Sequence, residues 1–87
     1  MTKIYTYCLF DGDYNFHGVY SSLSSVYRDA VKLANKGQSK VRMRTDDGWQ
    51  DPSLTTLRNM LYGKCDVIVI LQSGSHKARI LKTKLKE

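Results

Sequence analysis

The side chains of this chain best able to do chemistry are cations set at alternating positions. Lys40, Arg42 and Arg44 are interleaved with Val41, Met43 and Thr45. Successive side chains of a strand leave opposite faces, so this spacing predicts three cations on one face and Val41, Met43 and Thr45 on the other. Neighbouring cations would stand about 7 Å apart, close to the spacing of successive backbone phosphates. Arginine suits that task because its planar fork grips a phosphate through two donors, where lysine acts as a point charge. Trp49 follows Arg44 closely and supplies a flat ring on which a base could stack. A second basic row lies near the C-terminus, with Lys82, Lys84 and Lys86 on one face of a strand and Lys77 and Arg79 on the other. If both strands share a sheet surface, the rows merge into one patch. The bland alternative is a solvated edge strand that uses lysine against aggregation. The candidate nucleic-acid-binding residues are therefore Lys40, Arg42, Arg44, Trp49, Lys77, Arg79, Lys82 and Lys84.

The charge balance points the same way. Fourteen Lys and Arg oppose eight acidic residues in 87, a formal net charge of +6. The excess is uneven: 11–29 holds three Asp against one Arg, while 36–44 holds four cations and no anion. Such asymmetry predicts a polyanionic partner. Tyr14, Trp49 and Tyr62 sit in or near turn signals and are the best ring candidates, which favours RNA over other polyanions.

Other chemistries find less support. The chain has no phosphate-cradling glycine loop and no familiar hydrolase order of Ser, His and Asp. His17 or His76 could serve a small ribonuclease as general base, but both fall beside turns, where polar residues collect for solvation alone. No catalytic residue is assigned. Asp11, Asp13 and Asn15 match the opening of a calcium loop, yet its sixth and twelfth positions are Phe16 and Ser22 rather than Gly and Glu. Cys8 and Cys65 are the only cysteines, each inside an apolar run, which predicts buried thiols, a reducing compartment and no structural zinc. No cofactor or metal is expected. No apolar run approaches the ~20 residues of a membrane span, so a cytoplasmic protein is expected.

These residues need elements to position them. A chain of 87 residues makes a single domain, 1–87. Residues 3–10 are β-branched and aromatic and lack a polar face, which predicts a central strand covered on both sides. The Asp11–Asn15 turn and a strand at 16–20 close a hairpin. Ser21 or Ser22 caps a helix whose stripe is Leu23, Val26, Tyr27, Ala30, Leu33 and Ala34, with Gly37 as its stop. The strand 40–45 ends at Asp46-Asp47-Gly48. Asp51 and Pro52 start a second helix bearing Leu54, Leu57, Met60 and Leu61. Strands at 65–71 and 77–86, joined through Ser73-Gly74-Ser75, complete the order β-β-α-β-α-β-β. The expectation is an α+β fold, a mainly antiparallel sheet of about five strands with two helices on one face. So small a domain also favours a homodimer.

The stretch Phe16-His17-Gly18-Val19-Tyr20-Ser21-Ser22-Leu23, where the hairpin enters the helix, joins a short, basic chain. Together they resemble the small accessory proteins of T-even-like phages, and most of all the phage inhibitors of ToxN-type endoribonuclease toxins. That resemblance implies a homodimeric RNA-binding protein, working in the host bacterial cytoplasm, that neutralises a toxin endoribonuclease through an RNA-containing complex. It carries over no site residues. The alternatives are a protein-interaction module that inhibits a host enzyme by direct docking, and a small RNase.

Overall fold

The computed structural model describes residues 5–37, 39–64 and 66–84. Six strands and two helices follow in the order β1 (Tyr5–Asp11), β2 (Phe16–Tyr20), α1 (Leu23–Ala34), β3 (Arg42–Thr45), β4 (Gly48–Gln50), α2 (Leu54–Leu61), β5 (Val67–Ser73) and β6 (His76–Lys84). They form one sheet of order β2-β1-β6-β5-β3-β4, in which each described pairing is antiparallel. The α+β class is as expected. The sheet has one strand more than anticipated, because Gly48, Trp49 and Gln50 leave the Asp46–Asp47 turn and pair back onto β3.

Register shows which side chains share a face. Leu9 pairs with Ile80 and Ile80 with Val69, while Ala78 pairs with Leu71 and Leu71 with Met43. Residues directly opposed across strands project to the same side, so these side chains make one continuous apolar floor. Val26, Ala30 and Ala34 of α1 and Leu57 and Leu61 of α2 are buried in the same core. Both helices therefore lie on one face. Among the described residues the other face carries no helix, which corrects the expectation that β1 is covered on both sides. Only Leu9 of β1 is buried, and Cys8, on the uncovered side, is half-buried rather than enclosed. Cys65 lies outside the described residues.

Local chemistry sets the helix ends. Ser22 caps α1, its hydroxyl accepting from the Ser25 N–H, and a short 3-10 turn at Asn35–Gly37 extends the helix to the expected glycine. At α2 the cap is Ser53, whose hydroxyl accepts from the Thr56 N–H at 3.3 Å, and not Asp51. The Asp51 carboxylate is held instead by Lys40, Nζ to Oδ1 2.8 Å. Pro52 thus precedes the cap instead of opening the first turn. Among the described residues no helix is long and apolar enough to cross a membrane, and no cluster of three potential metal ligands forms.

Candidate nucleic-acid interface

The parity read for residues 40–45 holds. Val41 and Met43 are buried and Lys40, Arg42 and Arg44 are exposed. The reason is the pairing of Met43 with Leu71, which fixes Met43 against the helices and turns its neighbours outward. Arg42 and Arg44 therefore stand on the uncovered face. Lys40 lies just before the strand, and its ion pair with Asp51 neutralises it in part while holding the Asp51 carboxyl below its ordinary pKa.

Two cross-strand rows organise that face. In the first, Arg42 is opposed to Gln72 and Gln72 to Lys77. The second has two parts on the same face: Trp49 is opposed to Arg44 across β4 and β3, and Ile70, Arg79, Phe10 and Phe16 are opposed in turn across β5, β6, β1 and β2. At about 4.8 Å per strand the sheet is roughly 24 Å across from β4, which bears Trp49, to β2, which bears Phe16. Trp49 is 42% exposed and Phe16 59%, and the Arg44 guanidinium lies 5.9 Å from the centre of the Trp49 ring. A third row, Val19, Cys8, Leu81 and Ile68, is apolar.

Arg79 serves this face from beneath. It is only 8% exposed. Its Nη1 donates to the Asp11 carbonyl at 2.8 Å, and its guanidinium sits 4.0 Å from the centre of the Tyr14 ring. Tyr14 has a left-handed backbone, φ 64°, a conformation that costs a non-glycine residue about 1–2 kcal/mol. The ring laid on Arg79 offsets that cost and leaves the outer ring surface exposed. The loop is tied by Asp11, whose carboxylate accepts from the N–H groups of Asn15 and Asp13, each at 2.9 Å, and from the Asn15 amide at 3.1 Å. The Asn15 N–H first, then His17 and the other donors, hold this carboxyl far below the usual carboxylate range against the opposing effect of desolvation.

The C-terminal row is where the expectation must be corrected. Lys82 and Lys84 share the parity of Ala78 and Ile80 and so belong to the helix face. Lys82 is 7% exposed. Its ammonium donates to the Leu61 carbonyl at 2.6 Å and lies 4.3 Å from the centre of the Tyr5 ring. It closes the C-terminus of α2, where a cation complements the helix dipole, and is not available to a ligand. Lys84 is exposed on that same far side. Of the eight candidate residues, Arg42, Arg44, Trp49, Lys77 and Arg79 share the uncovered face, with Lys40 at its rim, and Lys82 and Lys84 do not. The two basic strands are not adjacent, since β5 separates β3 from β6.

Tyr62 ends α2 on the other layer, away from the rows. Gln72, Phe10 and Phe16 were not singled out from the sequence. The signal was there for Gln72, the one polar member of the Ile68, Ile70, Gln72 parity.

Two concavities flank the β5–β6 turn. One, of about 310 Å³, is lined by Ser39, Lys40, Arg42, Trp49, Gln72 and Gly74. The other, of about 410 Å³, gathers His17, His76, Lys36 and Lys77 with Asp11 and Asp13. There two fixed positive charges meet two negative ones, and the His17 Nε2 is engaged with Asp11 Oδ2 at 3.2 Å. Comparison of the chain with protein-family models, with curated proteins and with solved structures gave no match.

Proposed function

We propose that this chain is a non-catalytic RNA-binding protein that holds a single strand across the uncovered face of its sheet. One observation carries the reading: Arg42, Gln72 and Lys77 are in register across β3, β5 and β6 on the uncovered face, with the opposed Arg44–Trp49 pair beside them. The exposed Trp49 and Phe16 rings offer stacking surfaces to unpaired bases, and Arg42, Arg44 and Lys77 meet the phosphates. Stacking of this kind is worth about 1–3 kcal/mol per base, and the rings stand at two places, Trp49 on β4 and the edge-to-face Phe10–Phe16 pair with centroids 5.7 Å apart. The net charge of +6 draws any polyanion toward the surface.

The test is a map of the bound surface. On titration with a short oligouridine strand, backbone amide shifts should move at Arg42, Arg44, Trp49, Gln72 and Lys77 and stay still along α1 and α2. Shifts confined to the helix layer would overturn the reading.

The apolar row Val19, Cys8, Leu81 and Ile68 favours a second contact on the same face. Val19 and Ile68 are both largely exposed, and a sheet with one bare face lacks the layer that would normally cover it. A second copy of the chain seated on this row would supply the homodimer and leave the Arg42–Lys77 row at its margin. Ile68→Lys should then shift the sedimentation coefficient to the monomer value, and an unchanged coefficient would refute it. Neutralisation of a toxin endoribonuclease rests on the phage resemblance alone, and RNA binding is the part of that proposal which this surface supports.

A further inference from the structure

The concavity beside Trp49 has the parts of a base-reading pocket. Its volume of about 310 Å³ lies at the lower end of the ~300–1,000 Å³ usual for small-ligand sites. Trp49 supplies an aromatic surface at its edge. Arg42 and Gln72 are directly opposed across β3 and β5 on the uncovered face, so their side chains reach the pocket together. The Gln72 amide is oriented: its Nε2 donates to the Gly74 carbonyl at 2.7 Å. A carbonyl oxygen can only accept, so the NH₂ group must face it and Oε1 is left as an acceptor. The other border is also tied down. Ser73, only 1% exposed, donates its hydroxyl to the Ser39 carbonyl at 2.6 Å and accepts from the Ser39 N–H at 3.1 Å. Among the described residues Arg42 forms no ion pair, so its fork is open.

We propose that this pocket is a guanine-selective subsite for single-stranded RNA, read by Arg42 and Gln72 beside the Trp49 ring. The inference rests on the RNA-binding reading of the same face. Arginine matches two adjacent acceptors on one base edge, and guanine presents O6 and N7 in that arrangement. Guanine also carries N–H donors beside O6, which the fixed Gln72 Oε1 can accept. Adenine breaks the acceptor pair with its amino group, and uracil separates its two carbonyls with an N–H. Cytosine offers adjacent acceptors on its pairing edge, but its single ring gives Trp49 less surface to stack on. Arg44 and Lys77 remain to meet the phosphates on either side.

The experiment measures affinities of the full chain, by fluorescence anisotropy, for four RNAs of about ten nucleotides: oligouridine, and the same strand with one central guanosine, adenosine or cytidine. The guanosine strand should bind roughly 5- to 150-fold more tightly than oligouridine, the range given by one good bidentate contact. Arg42→Lys keeps the charge and loses the fork. It should bring the guanosine and oligouridine affinities together while leaving the thermal midpoint unchanged, and Gln72→Met should reduce the preference in the same way. Equal affinity for all four strands would overturn the subsite and leave the RNA-binding reading standing. Tightest binding of adenosine or cytidine would overturn the guanine assignment, as would a guanosine preference that survives Arg42→Lys. Failure of every strand to bind at low salt would remove the RNA-binding reading itself.

Discussion

Replacing Lys82 by Met separates a structural cation from a ligand-binding one. The ammonium of Lys82 makes a 2.6 Å hydrogen bond to the Leu61 carbonyl and rests over the Tyr5 ring. A hydrogen bond from a charged donor is worth about 1.5–3 kcal/mol, and the ring contact about 0.5–2 kcal/mol. Two effects work against the full loss. Methionine keeps most of the buried stem, and removing a charge from the interior relieves its desolvation. The Leu61 carbonyl also retains a longer bond, 3.3 Å, from the Lys64 N–H. The net expectation is a destabilisation of about 1–2 kcal/mol, which in a domain of this size lowers Tm by roughly 4–16 °C. Lys82→Ala should lose more, because it also empties the space of the stem. Thermal and urea denaturation followed by far-ultraviolet circular dichroism measures the stability, and anisotropy at a temperature well below both midpoints measures RNA affinity. Lys82→Met should bind RNA as the parent does. A variant with unchanged Tm and weakened RNA binding would refute the reasoning that parity turns Lys82 inward.

Other expectations follow from the same structure. Ser73→Ala removes both bonds that hold Ser39 and should cost about 1–2 kcal/mol, read as a lower urea midpoint, and should broaden the amide signals of residues lining the Trp49 pocket. The Tyr20 hydroxyl donates to the Asp29 carboxylate at 2.7 Å and, ahead of Arg28 and Lys32, holds its pKa down. Tyr20→Phe should therefore raise the Asp29 pKa in a carboxyl NMR titration. Because the folded pKa is the lower one, the stability that this pair contributes is present above the ordinary carboxylate range and disappears as pH falls through the folded value, so parent and variant should converge in acid. Wild-type protein incubated with RNA, free of added metal, should leave it intact. Cleavage that is lost in His17→Ala or His76→Ala would instead support a small RNase acting in the concavity those residues share.

The parts of this account legible in the sequence were those where one parity or one stripe stood out. The α1 stripe buries Val26, Ala30 and Ala34 as its spacing required, and the strict alternation of 40–45 left β3 only one way to face. In β6 the pattern could not choose. Ala78 and Ile80 stand on one parity and Leu81 on the other, so either could have formed the core, and the spacing of Lys82 and Lys84 suits an exposed basic row equally well. The choice is made by register to Leu9 and Val69, strands distant in sequence. β1 misleads for a related reason: it is apolar or aromatic on both sides, which looks like double burial, but Tyr5 and Tyr7 share the helix side with Leu9 while Cys8 and Phe10 lie on the bare face. β4 is three residues long, too short for any periodicity to announce it. Its pairing with β3 nonetheless places Trp49 beside Arg44, a juxtaposition that linear spacing alone could not supply.

Salt dependence of RNA affinity tests the central claim most directly. Each phosphate neutralised on a single strand contributes about −0.7 to the slope of log K against log salt. The parent protein should bind oligouridine with a steep negative slope, and Arg44→Ala combined with Lys77→Ala should make that slope shallower by about 1.4 while leaving Tm unchanged. A flat slope for the parent, or an identical slope for the double variant, would contradict the assignment of the uncovered face to RNA.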